Sequence, residues 1–287
     1  MFSPPQMALL PDGKRLHLNQ GPIDLIVQAF GESGEVGKSY EQAMGIFPDI
    51  LTDLVKELLR LRQPYDKNWQ PAGSVAASMQ EAITPHKNSF VTPMAAVAGA
   101  VADYVLAALI KDRKLNKAYV NNGGDIAFHL TPGQSLTAGL VADYHLPNID
   151  GQCELDHEMP VRGIATSGWK GRSFSLGIAD SVTVLAENAA KADVAATLIA
   201  NAVDVDDPAI AREPASALDP DSDLRDRLVT VGVDALTSPT IDLALDEGQK
   251  SAELMEQAGH IKAAVLVLQD NFRVVGSAPA GFIEQAA

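Results

Sequence analysis

From residue 91 to residue 109 the chain runs almost without charge through small side chains, with Met94-Ala95-Ala96-Val97-Ala98-Gly99-Ala100-Val101-Ala102 at its centre. A helix that is apolar all round has no side to offer to water and has to be enclosed. Small side chains also let a second backbone, or a ligand, come close. Whatever fold this chain takes must therefore cover this stretch, either within its own core or in a contact with a second copy.

The flanking segments read as strands and amphipathic helices. Residues 15–18 and 23–27 look like short strands around a Gly21-Pro22 turn. In 39–61 the apolar residues Met44, Phe47, Ile50, Leu51, Leu54, Leu58 and Leu59 follow three-and-four spacing, which predicts a helix. Pro48 lies inside it and is expected to split it. A shorter helix is predicted over 72–83. Strands are predicted over 118–121 and 126–130, on either side of an Asn121-Asn122-Gly123-Gly124 turn, and over 135–142 and 161–165. Residues 181–185 form a strongly β-branched strand, 189–203 a helix, 252–258 a short helix and 263–268 a last strand returning to the main sheet. Between 204 and 227 the composition shifts to Asp and Pro, which reads as an exposed excursion, a small subdomain or a mobile flap.

The 287 residues carry 46% hydrophobic side chains, enough for a sizeable core, and a formal net charge of −15. Such a chain repels phosphate backbones and anionic bilayers, so neither nucleic acid nor membrane is an expected partner. It can still hold a nucleotide if a cation or helix N-termini neutralise the phosphates. A single cysteine, Cys153, excludes an intrachain disulfide and a cysteine-based zinc site. Residues 1–10 lack a basic segment and contain Pro4 and Pro5, unlike a signal peptide. No apolar run is read as long enough for a membrane span. The cytoplasm is the expected location, and oligomeric state is open.

Two segments imitate ligand loops. Gly31 to Ser39 resembles a phosphate-binding loop but has one residue too many between its glycines, and it places Glu32 and Glu35 where phosphate would sit. It reads as a polar connection. Asp219-Pro220-Asp221-Ser222-Asp223 opens like a calcium loop, yet Leu224 replaces the required glycine and Thr230 the bidentate Glu. It reads as a solvated acidic loop.

The candidate chemistry starts at Asp193 and Thr197. Four residues apart on a helix, they bring a carboxylate and a hydroxyl to one face, with Cβ atoms roughly 5–6 Å apart. Two hard oxygens on a rigid support suit Mg²⁺ beside a phosphate-bearing ligand. The alternative is an Asp favoured by the positive end of its helix, with Thr197 merely packed. Asn122-Gly123-Gly124-Asp125 ends a strand with two residues free to take positive φ, exposing amides and a carboxylate; a plain hairpin turn explains it too. Thr166-Ser167-Gly168 adds two hydroxyls. Trp169, Lys170 and Arg172 follow, offering a ring and cations to an aromatic, phosphate-bearing ligand or simply forming an exposed loop. Of the six histidines, His157 is nearest this constellation in sequence; His17 and His129 read as ordinary strand residues.

The order of these motifs resembles the ApbE superfamily, the FAD:protein FMN transferases. The likeness is greatest to an uncharacterised ApbE-related branch with the signatures Thr-Ser-Gly, Gly-Arg-Ser-x-Ser-Leu-Gly-Ile-Ala-Asp and Ala-Asp-x-Ala-Ala-Thr. Here they read Thr166-Ser167-Gly168, Gly171-Arg172-Ser173-Phe174-Ser175-Leu176-Gly177-Ile178-Ala179-Asp180, and Ala192-Asp193-Val194-Ala195-Ala196-Thr197. The resemblance covers residues 90–203 closely. It extends weakly to the N-terminal strands and helix and to the strand at 261–268. It implies an α+β fold, a mixed or antiparallel sheet with packed helices, as one domain over 1–287 with an acidic, partly irregular excursion at 204–260.

In the transferases Mg²⁺ bridges the pyrophosphate of FAD, and FMN passes to a Ser or Thr of an acceptor protein with release of AMP. The resemblance implies Asp193 and Thr197 as metal ligands, joined by a backbone carbonyl from 97–99. It implies Gly99, Asn122, Gly123, Gly124, Asp125, Thr166, Ser167 and Gly168 as ligand-binding residues; Asp180 and Arg172, which occupy the space of a transferase loop missing here, are the candidate catalytic ones, Arg172 replacing lost positive charge and Asp180 serving as a base or only as a turn residue. A pocket is expected where the Asn-Asn-Gly-Gly turn, the Thr-Ser-Gly loop and the Asp193 helix meet. Two departures stand out. Ala98-Gly99 replaces the Lys-Gly pair of the transferases, and the link from 168 to 181 lacks their His-x-x-Asp-Pro-x-Thr-Gly loop. Three readings follow: a Mg²⁺-dependent protein that binds FAD or a related pyrophosphate and transfers or hydrolyses it; a flavin- or metabolite-binding protein without the chemistry; or an enzyme of cofactor or ring-compound metabolism using the same pocket.

Overall fold

A computed structural model describes residues 3–140 and 151–277. In chain order the elements are strands β1 (Gln6–Leu9), β2 (Leu16–Gln20) and β3 (Ile23–Gly31); helices α1 (Ser33–Lys56), α2 (Leu58–Leu61), α3 (Ser74–Ile83) and α4 (Val97–Ile110); then strands β4 (Leu115–Asn122), β5 (Asp125–Leu130), β6 (Ser135–Leu140), β7 (Gly151–Asp156), β8 (Gly163–Ser167) and β9 (Ser181–Ala186). Helix α5 (Ala189–Ala202) follows, then β10 (Ile210–Pro214), α6 (Ala215–Leu218), β11 (Leu228–Val233), α7 (Ser238–Gln257), β12 (Ala263–Leu268) and β13 (Asn271–Gly276). The fold is α+β with a mostly antiparallel sheet: β1 to β5 pair antiparallel in turn, as do β5 with β8, β9 with β12, β12 with β13 and β10 with β11. Two compact units share the chain: Met1–Leu136, Asp156–Ile164 and Asn188–Asp193 form the first, and Thr137–Leu155, Ala165–Glu187 and Val194–Ala287 the second.

In the first unit β1 to β5 lie side by side in sequence order. Leu18 pairs with Leu25, Leu25 with Asn122, and Asn122 with Asp125, so these four form one row across the sheet. Leu18, Leu25, Val27, Val120 and Ala127 on the same face are fully buried. The row thus passes from leucines to two polar residues, Asn122 and Asp125, each only 8% exposed. Helix α4 packs on β4 and β5 and against α1 and α3, which supplies the enclosure its composition demands. With its preceding 3₁₀ turn it covers Pro93–Ile110, 18 residues of mean hydropathy 1.8, half of them buried. This corrects the sequence reading that no run is long enough to span a bilayer; length and hydropathy suffice, and the stretch is used here as a core helix.

Two other expectations fail in this unit. The Gly31 to Ser39 segment is not a connection: from Ser33 it forms the first turns of α1. Glu35 accepts the Lys114 N–H at 3.1 Å and pairs with Arg113 at 3.4 Å, so its charge is used internally. Pro48 does not split the helix, which runs unbroken through it. One missing hydrogen bond is outweighed by burial of Phe47, Ile50, Leu51 and Leu54 on the turns around it.

In the second unit every residue of β9 is buried. β9 pairs with β12, and β12 with β13. Helix α7 packs on β12 and β13 and is much longer than the predicted 252–258, starting after a Thr237 cap. The acidic excursion is not a free flap. Its β10–β11 hairpin grips the segment 175–177: Thr230 N–H donates to Ser175 O at 2.9 Å, Thr230 Oγ1 to Gly177 O at 2.8 Å, and Arg212 to Leu176 O at 2.8 Å.

Candidate functional site

Within the first unit, the start of α4 meets the start of α5. A Cβ on Gly99 would lie 2.3 Å from the Ala189 carbonyl oxygen, and one on Gly163 2.0 Å from the Asn188 carbonyl carbon. Only glycine allows either approach. The opening amides of α5 are all accounted for. Ala189 N–H donates to Asp103 Oδ1 at 3.1 Å, Ala190 N–H to Asp103 Oδ2 at 2.9 Å, and Lys191 N–H to Asn188 Oδ1 at 2.9 Å. In return Asp193 Oδ2 accepts the Gly99 N–H at 3.0 Å, and its carboxylate also takes the Ala98 N–H. The Asn122 side-chain amide donates to the Ala98 carbonyl at 3.0 Å. The turn beyond it has Gly123 and Gly124 at φ of +66° and +114° and is closed by Gly124 N–H on Asn121 Oδ1 at 2.9 Å. So Gly99, Asn122 and Asp193 come together, with the Gly123-Gly124 turn and buried Asp125 at the same end of β4 and β5. Thr197, half-buried, lies one turn further along α5, in the second unit's share of the helix.

Burial raises the Asp193 carboxyl well above the usual carboxylate range, and the negative Asp103 adds to this, while the Gly99 and Ala98 amides oppose it. Burial likewise lifts Asp103 to about 6, against its two amide bonds and Lys191. Asp103 is the one charged residue in 91–109. That isolation was the signal that could have singled it out, and the sequence reading passed over it.

A raised folded-state pKa means that the folded chain binds more protons than the unfolded chain between the two values. The Asp103 contribution is therefore fully present below about 4 and declines as pH rises through about 6. The unfolding free energy of the wild type minus that of Asp103→Asn is expected to fall across this interval by on the order of 2–3 kcal/mol. Urea unfolding at several pH values measures it; a pH-independent difference would contradict the assignment.

Within the second unit, the Asp180 carboxylate accepts Gln269 N–H at 2.8 Å, Trp169 Nε1–H at 3.0 Å and Lys170 Nζ at 3.2 Å. Gly168 is flush against the Asp180 carbonyl oxygen, 2.3 Å from where a Cβ would stand. Thr166 and Thr183 share a hydroxyl contact of 2.9 Å; Thr166 is exposed and Ser167 half-buried. Arg172 is exposed and forms no ion pair among the described residues. The fold thus gathers Trp169, Lys170 and Asp180 but leaves Arg172 apart from them. Asp180→Ala is expected to cost about 1–3 kcal/mol, because it leaves three half-buried donors without their acceptor, and to alter the Trp169 emission. A variant as stable as the wild type would refute this anchoring role. Among the described residues no group of three or more His, Cys, Asp or Glu is placed to hold a metal.

Comparison with known proteins gives a consistent answer. The sequence profile of the family described as AbpE bacteria matches residues 7–274. A UPF0280 protein of Methanopyrus kandleri is 42% identical over 139 residues, covering 48% of this chain and 52% of its own length. One from Methanothermobacter thermautotrophicus is 38% identical over 152 residues, covering 51% and 57%. The chain spans about half the length of the curated relatives it matches. Among solved structures, a point mutant of the flavin transferase ApbE from Vibrio cholerae superposes with a TM-score of 0.50 at 15% identity, over 94% of this chain and 98% of that one. That likeness is one of fold.

Proposed function

This chain belongs to the AbpE bacteria family, and from that membership we infer that it binds a flavin nucleotide or a related pyrophosphate, with Asp193 at the centre of the site. The observation that carries the reading is the placing of the Asp193 carboxylate on the first turn of α4, beside the Asn122-held Ala98 carbonyl. The donor set fits a hard cation. A carboxylate has about four lone-pair sites and a carbonyl two, and the amides and Asn122 occupy only part of them. The neighbouring Asp103 adds negative charge that a cation would relieve. Mg²⁺ typically takes one or two carboxylates plus substrate phosphates, so Asp193 would hold it, with Thr197 on the same helix as the proposed second oxygen. Bound there, the ion would polarise a phosphoryl oxygen and absorb developing charge. Asn122 would keep the Ala98 carbonyl oriented, and the Gly123-Gly124 turn would leave room for ligand.

A second reading, binding without turnover, draws support from Asp180. Three donors engage its carboxylate, which leaves it poorly suited to act as a base, and Ala98 stands where the transferases carry lysine. Titration of the purified chain with FAD, with and without Mg²⁺, followed by assay for FMN and AMP, separates the two. Release of both products supports turnover, and Mg²⁺-dependent binding alone supports the second reading. No binding refutes the flavin assignment.

A further inference from the structure

Asp103 belongs to none of the motifs above, yet it is built into the same corner of the first unit. We infer that Asp103 is a positioning residue for Asp193, acting through a crossed pair of helix caps. The functional weight of this inference rests on Asp193 being the ligand-holding residue.

The two helices touch at Gly99 and Ala189. Each carries an Asp four residues beyond its touching residue: Asp103 after Gly99, and Asp193 after Ala189. Four residues is one turn, and helical side chains lean toward the N-terminus, so each carboxylate is carried back toward the contact. There each bonds the touching residue's amide on the opposite helix. Gly99 N–H donates to Asp193 at 3.0 Å, and Ala189 N–H donates to Asp103 at 3.1 Å. Each carboxylate takes one further amide, Ala98 for Asp193 and Ala190 for Asp103. The result is a local pseudo-twofold in which each helix caps the other. Charge-assisted bonds to the positive end of a helix are among the stronger ones available to a carboxylate. Neither helix can slide or turn without breaking bonds in both caps. Removing Asp103 frees Ala189 and Ala190, and the turn so released is the one that carries Asp193.

The test is amide hydrogen exchange on the intact, isotope-labelled chain, together with FAD binding in the presence of Mg²⁺. A purely local cap predicts that Asp103→Ala accelerates exchange at Ala189 and Ala190 only. Crossed capping predicts that Gly99, which bonds Asp193 and not Asp103, also accelerates by about tenfold or more. It also predicts that Mg²⁺-dependent FAD affinity falls about tenfold or more. Asp103→Asn keeps one acceptor oxygen and should fall between wild type and Ala; it also decides the matter by the Gly99 readout if the Ala variant does not fold. Unchanged exchange at Gly99 alongside faster Ala189 and Ala190 overturns the inference. If FAD binds neither wild type nor variants, the flavin assignment fails, while Gly99 exchange still decides the positioning role.

Discussion

Replacing Asp193 by alanine is expected to abolish Mg²⁺-dependent binding of FAD, lowering affinity by at least about 100-fold. That exceeds the roughly 10–100-fold typical of residues that only support a metal ligand. The same change leaves the Gly99 and Ala98 amides without their acceptor, at a cost of about 1–3 kcal/mol per buried group. It also removes the charge that opposes Asp103, which offsets part of that cost. Asp193→Asn separates the contributions: it keeps an acceptor oxygen for Gly99 but cannot supply a negative ligand. Stability close to wild type with affinity still lost would place the effect at the ion. Isothermal titration of both variants reads it, and wild-type affinity in Asp193→Ala would remove Asp193 from the site.

The second large effect is steric. Gly99→Ala puts a methyl 2.3 Å from the carbonyl oxygen and 2.4 Å from the carbonyl carbon of Ala189, both backbone atoms that cannot rotate aside. The starts of α4 and α5 must then separate. The expected loss is about 3 kcal/mol, the upper part of the range for overpacked interiors. Gly34→Ala is the matched control. It lies within α1 with nothing within 4 Å of the new methyl, so it should be neutral or stabilising by up to about 1 kcal/mol. Urea midpoints for the two variants measure the contrast. Equal midpoints would mean that the close approach of the helices is not what position 99 requires.

How far the sequence discloses these features depends on how local the cause is. Strands β2 to β5 follow from alternation around two glycine-containing turns, and their one-face burial is the expected one. Strand β1, exposed at all four positions, and β13, exposed at half of its positions, carry no such signal. The start of α7 was hidden for another reason. Its buried stripe is partly made of Ala244, Gly248 and Ala252, small because Gly248 lies against Val203 and Leu266, and small residues weigh little in a hydrophobic pattern. The β10–β11 hairpin reads as solvated because its acidic flanks dominate the composition, while its hold on 175–177 uses backbone groups and Arg212. At the site, helical spacing left Asp193 open between a ligand and a helix-start carboxylate, and the neighbouring motifs with their family resemblance singled it out. Its partner Asp103 bonds amides 86 and 87 positions away, a pairing that only the topology creates.

The enclosure of α4 also bears on how the molecule is made. Helices α1 and α3, which pack on it, precede it, but the strands that cover its other side, β4 and β5, follow it in the sequence, so a ribosome releases the greasy rod at Pro93–Ile110 before the sheet half of its sheath exists. During that interval the nascent chain exposes a segment that chaperones, neighbouring copies or a bilayer could each capture. Fragments cut just before Leu115 should therefore be insoluble when expressed.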